Sequence, residues 1–158
     1  MLKYVDTAIT FAEFPNEVSL CINISNCNCF CDGCHSPYLS KDIGEILSLE
    51  RLQELIESNK GITLVGFMGG DSDPKEINKL AKWIRENYPE LHIGWYSGKQ
   101  LLADSIIDID NFDYIKLGPY MKQFGPLNNP NTNQKFYKID RKTHIMTWCT
   151  DIFWKEAE

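Results

Sequence analysis

Apolar positions follow two rhythms along this chain. Four nearly continuous apolar runs lie at 17–24 (Glu-Val-Ser-Leu-Cys-Ile-Asn-Ile), 62–68 (Ile-Thr-Leu-Val-Gly-Phe-Met), 91–96 (Leu-His-Ile-Gly-Trp-Tyr) and 114–117 (Tyr-Ile-Lys-Leu). They are short and rich in β-branched and aromatic residues, which predicts buried strands. Between them the spacing lengthens to three and four. Leu49, Leu52, Leu55 and Ile56 fall on one helical face, with Ser48 as N-cap and Gly61 as stop. Ile77, Leu80, Ala81 and Ile84 mark a second helix, opened by Asp73, Pro74 and Glu76 and closed before Pro89. A weaker helical stretch is expected over 100–107. Near the C-terminus, 136–139 and 144–148 flank the polar turn Asp140-Arg-Lys and predict a β-hairpin.

Strands that alternate with helices and are apolar on both faces belong to a parallel sheet with helical crossovers. Four such units are too few for a closed eight-stranded barrel, so an α/β fold built as an open partial (β/α) barrel with a C-terminal β-hairpin is expected. No internal repeat or low-complexity tract divides the chain. A single domain over 1–158 follows, with its core at about 17–120 and the hairpin at about 135–150. Ligands of such sheets sit at the carboxyl ends of the strands. Here those ends are a cysteine segment, Gly69-Gly70-Asp71, Ser97-Gly98 and Gly118-Pro119, which points to one site assembled from distant parts of the chain.

Composition narrows the classes. The chain is 43% hydrophobic and 24% charged, an ordinary globular balance, and its net charge of -6 argues against a nucleic-acid partner. Neither a signal peptide nor a membrane span is legible, so a cytoplasmic protein is expected. There, six cysteines are a poor disulfide framework. Cys21 and Cys149 stand apart and read as small buried hydrophobes. The other four crowd into Cys27 to Cys34, an arrangement of metal or redox chemistry.

That segment reads Asn26-Cys-Asn-Cys-Phe-Cys-Asp-Gly-Cys-His-Ser-Pro37. Structural zinc prefers two ligand pairs set apart, and no second pair follows downstream. Ferredoxin-like clusters usually place their fourth cysteine further away. Cys27, Cys31 and Cys34 form C-x3-C-x2-C, and three thiolates on a four-iron cube leave one iron open for chemistry. A non-catalytic iron–sulfur or zinc protein would instead engage all four thiols, Cys29 included.

The C-x3-C-x2-C spacing after the first predicted strand, with Gly-Gly-Asp after the second, resembles the radical-SAM superfamily. Many members carry an aromatic residue before the third cysteine, where this chain has Gly33. Cys31-Asp-Gly-Cys34-His-Ser-Pro is similar to the Cys-x-Gly-Cys-His/Tyr-Asn/Ser pattern of the anaerobic (class III) ribonucleotide reductase activating proteins. Tyr96-Ser97-Gly98, Leu117-Gly118-Pro119-Tyr120 and Thr132-Asn133-Gln134 also resemble that family, so the likeness runs from about Phe14 to Tyr137.

The resemblance implies a partial barrel of radical-SAM type. It implies a [4Fe–4S] cluster on Cys27, Cys31 and Cys34, with S-adenosyl-L-methionine on the open iron. Reductive cleavage would give methionine and a 5′-deoxyadenosyl radical, which takes a hydrogen from a glycine of the anaerobic reductase. A flavodoxin-like or other low-potential donor would supply the electron. Cys29 would be a spare thiol. Gly69, Gly70 and Asp71 would contact the methionyl part, Gly33 and His35 would shape the pocket beside Cys34, and Ser97 would bond the cofactor or cap the next helix. Lys116, a charge in an apolar strand, would meet the cofactor carboxylate or snorkel from a sheet edge. Asn133 and Gln134 are candidates for a docking face. His92 and His144 are expected to pack or cap, and the four tryptophans to serve as core or rim aromatics. An activase of another glycyl-radical enzyme, or a different small radical-SAM enzyme, shares the same cysteine segment.

Overall fold

The computed structural model describes residues 1–26, 39 and 41–154. Its strands are β1 (Lys3–Thr10), β2 (Ser19–Ile24), β3 (Glu45–Ile46), β4 (Leu64–Met68), β5 (His92–Tyr96), β6 (Tyr114–Leu117), β7 (Lys135–Ile139) and β8 (Met146–Trp148). Its helices are α1 (Leu49–Glu57) and α2 (Pro74–Asn87). Among the described residues the strands form one sheet in the order β3-β1-β2-β4-β5-β6-β7-β8. β2, β4, β5 and β6 run parallel at its centre, and antiparallel pairs complete both sides. β1 has no counterpart among the strands read from sequence. Its surface mostly alternates between partly buried and exposed, so it carries no apolar run.

The helices begin where their caps dictate. The Ser48 hydroxyl accepts the Arg51 N–H at 3.1 Å, and the Asp73 carboxylate accepts the Glu76 N–H at 3.3 Å with Pro74 next to it. Leu52 and Ile56 of α1, and Ile77, Leu80, Ala81 and Ile84 of α2, then pack on one face of the sheet. The stretch 100–107 is not helical but forms turns that lead to a 3-10 turn at 109–111. Only Ile107 of that stretch is buried, so no apolar stripe holds a helix against the sheet. The Asn78 carboxamide oxygen on α2 instead takes the Asp108 N–H and the Asn111 carboxamide.

The opposite, helix-free face carries a second core. Phe14, from the β1–β2 connection, is fully buried there against Tyr96, Tyr114 and Phe136, at ring separations of 5.0, 5.9 and 6.1 Å. Beneath it Gly66 and Gly94 stand directly opposite each other on β4 and β5. A Cβ at Gly94 would lie 2.2 Å from the Phe14 ring, and one at Gly66 would lie 2.6 Å from it. The paired glycines therefore open a slot in the sheet that admits an aromatic plug.

Asp113, just ahead of β6, ties the sheet to α2 and to the β7–β8 turn. Its carboxylate accepts from Arg85 Nη1 at 3.0 Å, from Arg141 Nε and Nη2 at 2.8 and 3.1 Å, and from the Ile93 N–H at 2.9 Å. Burial opposes the charge, but the two guanidiniums and the amide win and hold Asp113 below the usual carboxylate range. Asp113→Asn should cost about 2–4 kcal/mol at neutral pH, because both arginines then lose their anion. A depressed folded pKa contributes stability above the unfolded value, near 3.9 for aspartate, and loses it as pH falls through the folded value. Urea titrations should therefore show the gap between wild type and variant closing below about pH 4. An unchanged gap at low pH would contradict this account.

Candidate functional site

Because β2, β4, β5 and β6 are parallel, their carboxyl ends share one rim, and hydrogen bonds join those ends in sequence. The Gly69 N–H donates to Tyr96 O at 3.0 Å, and Trp95 Nε1 donates back to Gly69 O at 2.7 Å. Asp71 accepts the Ser97 hydroxyl at 2.5 Å and the Gly98 N–H at 2.8 Å. The Ser97 N–H reaches Lys116 O, and the Gly118 N–H reaches Lys99 O. Beyond β6, Asn133 Nδ2 donates to Pro119 O at 3.0 Å. Gly69-Gly70-Asp71, Ser97-Gly98 and Gly118-Pro119 are thus brought together on the rim.

Each of these residues has a local physical reason. Gly69 and Gly70 adopt φ of +107° and +99°, a region that disfavours residues with a Cβ. A Cβ on Gly70 would also strike the Ile77 side chain at 2.5 Å. Ser97 is buried and precedes no helix. Its hydroxyl donates to Asp71 and accepts the Lys99 N–H at 3.1 Å. Lys116 is buried on a strand flanked on both sides by β5 and β7, so it is not an edge lysine. Its ammonium donates to Ser97 O at 2.9 Å and Gly118 O at 3.1 Å, and stands 5.3 Å from the centre of the Tyr96 ring. Carbonyl dipoles and an aromatic face are among the groups that stabilise its charge.

Cys27, Cys31, Cys34, Gly33, His35 and Cys29 lie outside the described residues, but the two ends of their segment do not. β2 ends at Ile24, and the Asn26 N–H then donates to Lys41 O at 2.9 Å. Ser25 Oγ donates to Ile43 O at 2.5 Å, and its N–H donates to Lys3 O at 2.9 Å. The chain leaves and re-enters the sheet at one point, next to the Gly69 turn, where a Cβ would sit 3.3 Å from Ile24 O. Asn26 turns the chain there with φ +58°. The described residues that flank the thiol-rich segment, Asn26 and Lys41, therefore meet at the same rim as Asp71 and Ser97.

The two described thiols, Cys21 and Cys149, form no disulfide. Burial pushes Cys21 up to about 11, and burial raises Cys149 as well, so both stay protonated at neutral pH. Among the described residues no three Cys, His, Asp or Glu side chains converge on a metal position. His92 pairs through Nδ1 with the buried Glu17 at 2.5 Å, and His144 pairs with Asp110 at 2.6 Å from a turn with φ +60° rather than from a strand. The candidate donors read from sequence, Cys27 to Cys34, lie outside the described residues.

Four cysteines within eight residues, with no second ligand pair downstream, are the sequence pattern expected of an iron–sulfur protein. A family model described as a 4Fe-4S single cluster domain matches residues 17–116, from just before β2 to within β6. The chain belongs to that family. No curated protein and no solved structure matches it. Among the described residues no helix is long and apolar enough to cross a membrane.

Sequence reading missed Glu13 and Phe14. Both lie in the turn-rich β1–β2 connection, where no periodicity marks them. The signal that existed was the pair of glycines within otherwise apolar strands.

Proposed function

We propose that this iron–sulfur protein is a radical-SAM activase that generates a glycyl radical on anaerobic ribonucleotide reductase. In this reading the mixed sheet is the open partial barrel and its helix-free face is the interior. Cys27, Cys31 and Cys34 ligate three irons of a [4Fe–4S] cluster, and the fourth iron is left to S-adenosylmethionine. When bound, the pair supplies reductive cleavage of the sulfonium and with it a 5′-deoxyadenosyl radical.

The observation that supports the reading is that Asn26 and Lys41, which flank the three-cysteine segment, meet beside Gly69 on the rim that carries Asp71 and Ser97. The donor chemistry fits. Asp71, fixed by bonds from Ser97 and Gly98, places at the rim a carboxylate of the charge that would suit the cofactor ammonium. Ser97 and the Gly98 amide hold that carboxylate at the rim, and Gly69 and Gly70 keep the neighbouring backbone free of side chains. The role of the fold is to orient the cofactor and to exclude water from it, with a flavodoxin-like donor outside the site.

The test is anaerobic reconstitution with iron and sulfide, reduction, and chromatographic assay of 5′-deoxyadenosine formed from S-adenosylmethionine. Product that rises when the reductase is added, with a glycyl signal on that partner by electron paramagnetic resonance, is expected. Absence of 5′-deoxyadenosine with a reduced cluster and the partner present would overturn the proposal.

A further inference from the structure

We propose that the cleft on the helix-free face next to the rim receives a basic side chain of a polypeptide, with Glu13 as its anion. The inference rests on the proposed activity only in taking the partner to be a protein. The cleft measures about 450 Å³, and Glu13, Met68, Tyr96, Leu127 and Phe153 are among the residues that line it. That volume lies within the range of small-ligand sites. Met68 and Tyr96 end β4 and β5, so the cleft opens beside the cluster segment's rim. All its other walls come from segments before residue 17 or after residue 116, outside the stretch the family model matches.

The chemistry of the walls selects the ligand. Glu13 contributes a half-buried carboxylate, and no described Lys, Arg or His forms an ion pair with it. The Tyr96 hydroxyl donates to the Glu13 carbonyl, and the neighbouring Phe14 fills the glycine slot, so the carboxylate is carried on a fixed backbone. Among the described residues no cationic side chain lines the cleft, so they offer a phosphate-bearing molecule no counter-charge. Lys116 stands over the Tyr96 ring but is held by the Ser97 and Gly118 carbonyls. A carboxylate in a cleft that tyrosine and phenylalanine side chains also line favours an organic cation. An arginine side chain supplies that charge on an apolar stem that matches Met68 and Leu127.

The test uses the full chain with its cluster reconstituted, titrated anaerobically by calorimetry. The probes are an acetylated, amidated Gly-Gly-Arg-Gly-Gly peptide, the same peptide with neutral citrulline for arginine, and S-adenosylmethionine. The arginine peptide should bind about tenfold more tightly than the citrulline peptide, and Glu13→Gln should erase that difference while Glu13→Asp restores part of it. Matching melting temperatures would show that Phe14 is still seated in the variants. Equal binding of the two peptides, no binding of either, or no effect of Glu13→Gln would overturn the proposal. So would a Glu13→Gln effect confined to S-adenosylmethionine, which would give the carboxylate to the cofactor's own cation. Peptide binding is read without turnover. A chain that binds the arginine peptide yet forms no 5′-deoxyadenosine refutes the proposed activity and leaves the cation site standing.

Discussion

Cys31→Ala is expected to abolish the cluster: after anaerobic reconstitution the variant should carry little iron, lack the visible absorbance of a [4Fe–4S] centre and form no 5′-deoxyadenosine. The size of the effect follows from ligand number. Three thiolates on a four-iron cube already leave one iron open, and losing another leaves two irons without protein ligands. Cys27→Ala and Cys34→Ala should behave alike. Cys29→Ala is the control, because the C-x3-C-x2-C spacing assigns no iron to it, so its iron content and turnover should match wild type. A variant at Cys29 that loses the cluster, paired with one at Cys31 that keeps it, would reverse the assignment and favour an all-thiolate, non-catalytic site. Cys21→Ala should leave iron binding unchanged, since that side chain is buried in the core around Phe14.

Gly94→Ala should produce the largest loss of stability in the fold. The added methyl would sit 2.2 Å from the Phe14 ring, which is itself enclosed by Tyr96, Tyr114 and Phe136. A ring packed on every side has nowhere to go, so the plug must leave its slot. Eviction of a buried phenylalanine costs on the order of 3–5 kcal/mol. That is a large share of the roughly 5–15 kcal/mol that holds most domains together. Phe14→Ala should cost a similar amount by leaving a cavity. The pair is informative together: with no ring left to strike, Gly94→Ala in a Phe14→Ala background should add little. Chemical denaturation of the four proteins measures this directly. Additive costs, or a Gly94→Ala loss below about 1 kcal/mol, would mean that the slot tolerates a methyl and that the plug account is wrong.

These two experiments address different layers of legibility. The parallel strands and both helices were readable because their signals are local: continuous β-branched and aromatic runs, apolar residues at three-and-four spacing, and the caps Ser48 and Asp73. The 100–107 stretch misled because its apolar residues imitate a helical stripe while only Ile107 is buried. β1 went unread because its surface is mostly polar or exposed, and its pairing with β2 and β3 comes from long-range register.

The sequence alone determined the candidate donors and the iron–sulfur family, since the spacing of Cys27, Cys31 and Cys34 and the match over residues 17–116 need no coordinates. It also marked Gly-Gly-Asp, Ser-Gly and Gly-Pro as unusual strand ends, because turn residues after apolar runs are a local pattern. Only the tertiary structure decided what those ends do to one another. Asp71 grips Ser97 and Gly98 from 26 and 27 residues away, and Lys116 is held by carbonyls that belong to two different turns. The same holds for Gly66 and Gly94, which read as weak strand residues until Phe14 arrives from another part of the chain. Hydrogen-bond partners and packing partners depend on which segments the sheet brings side by side, and residue periodicity carries no record of that.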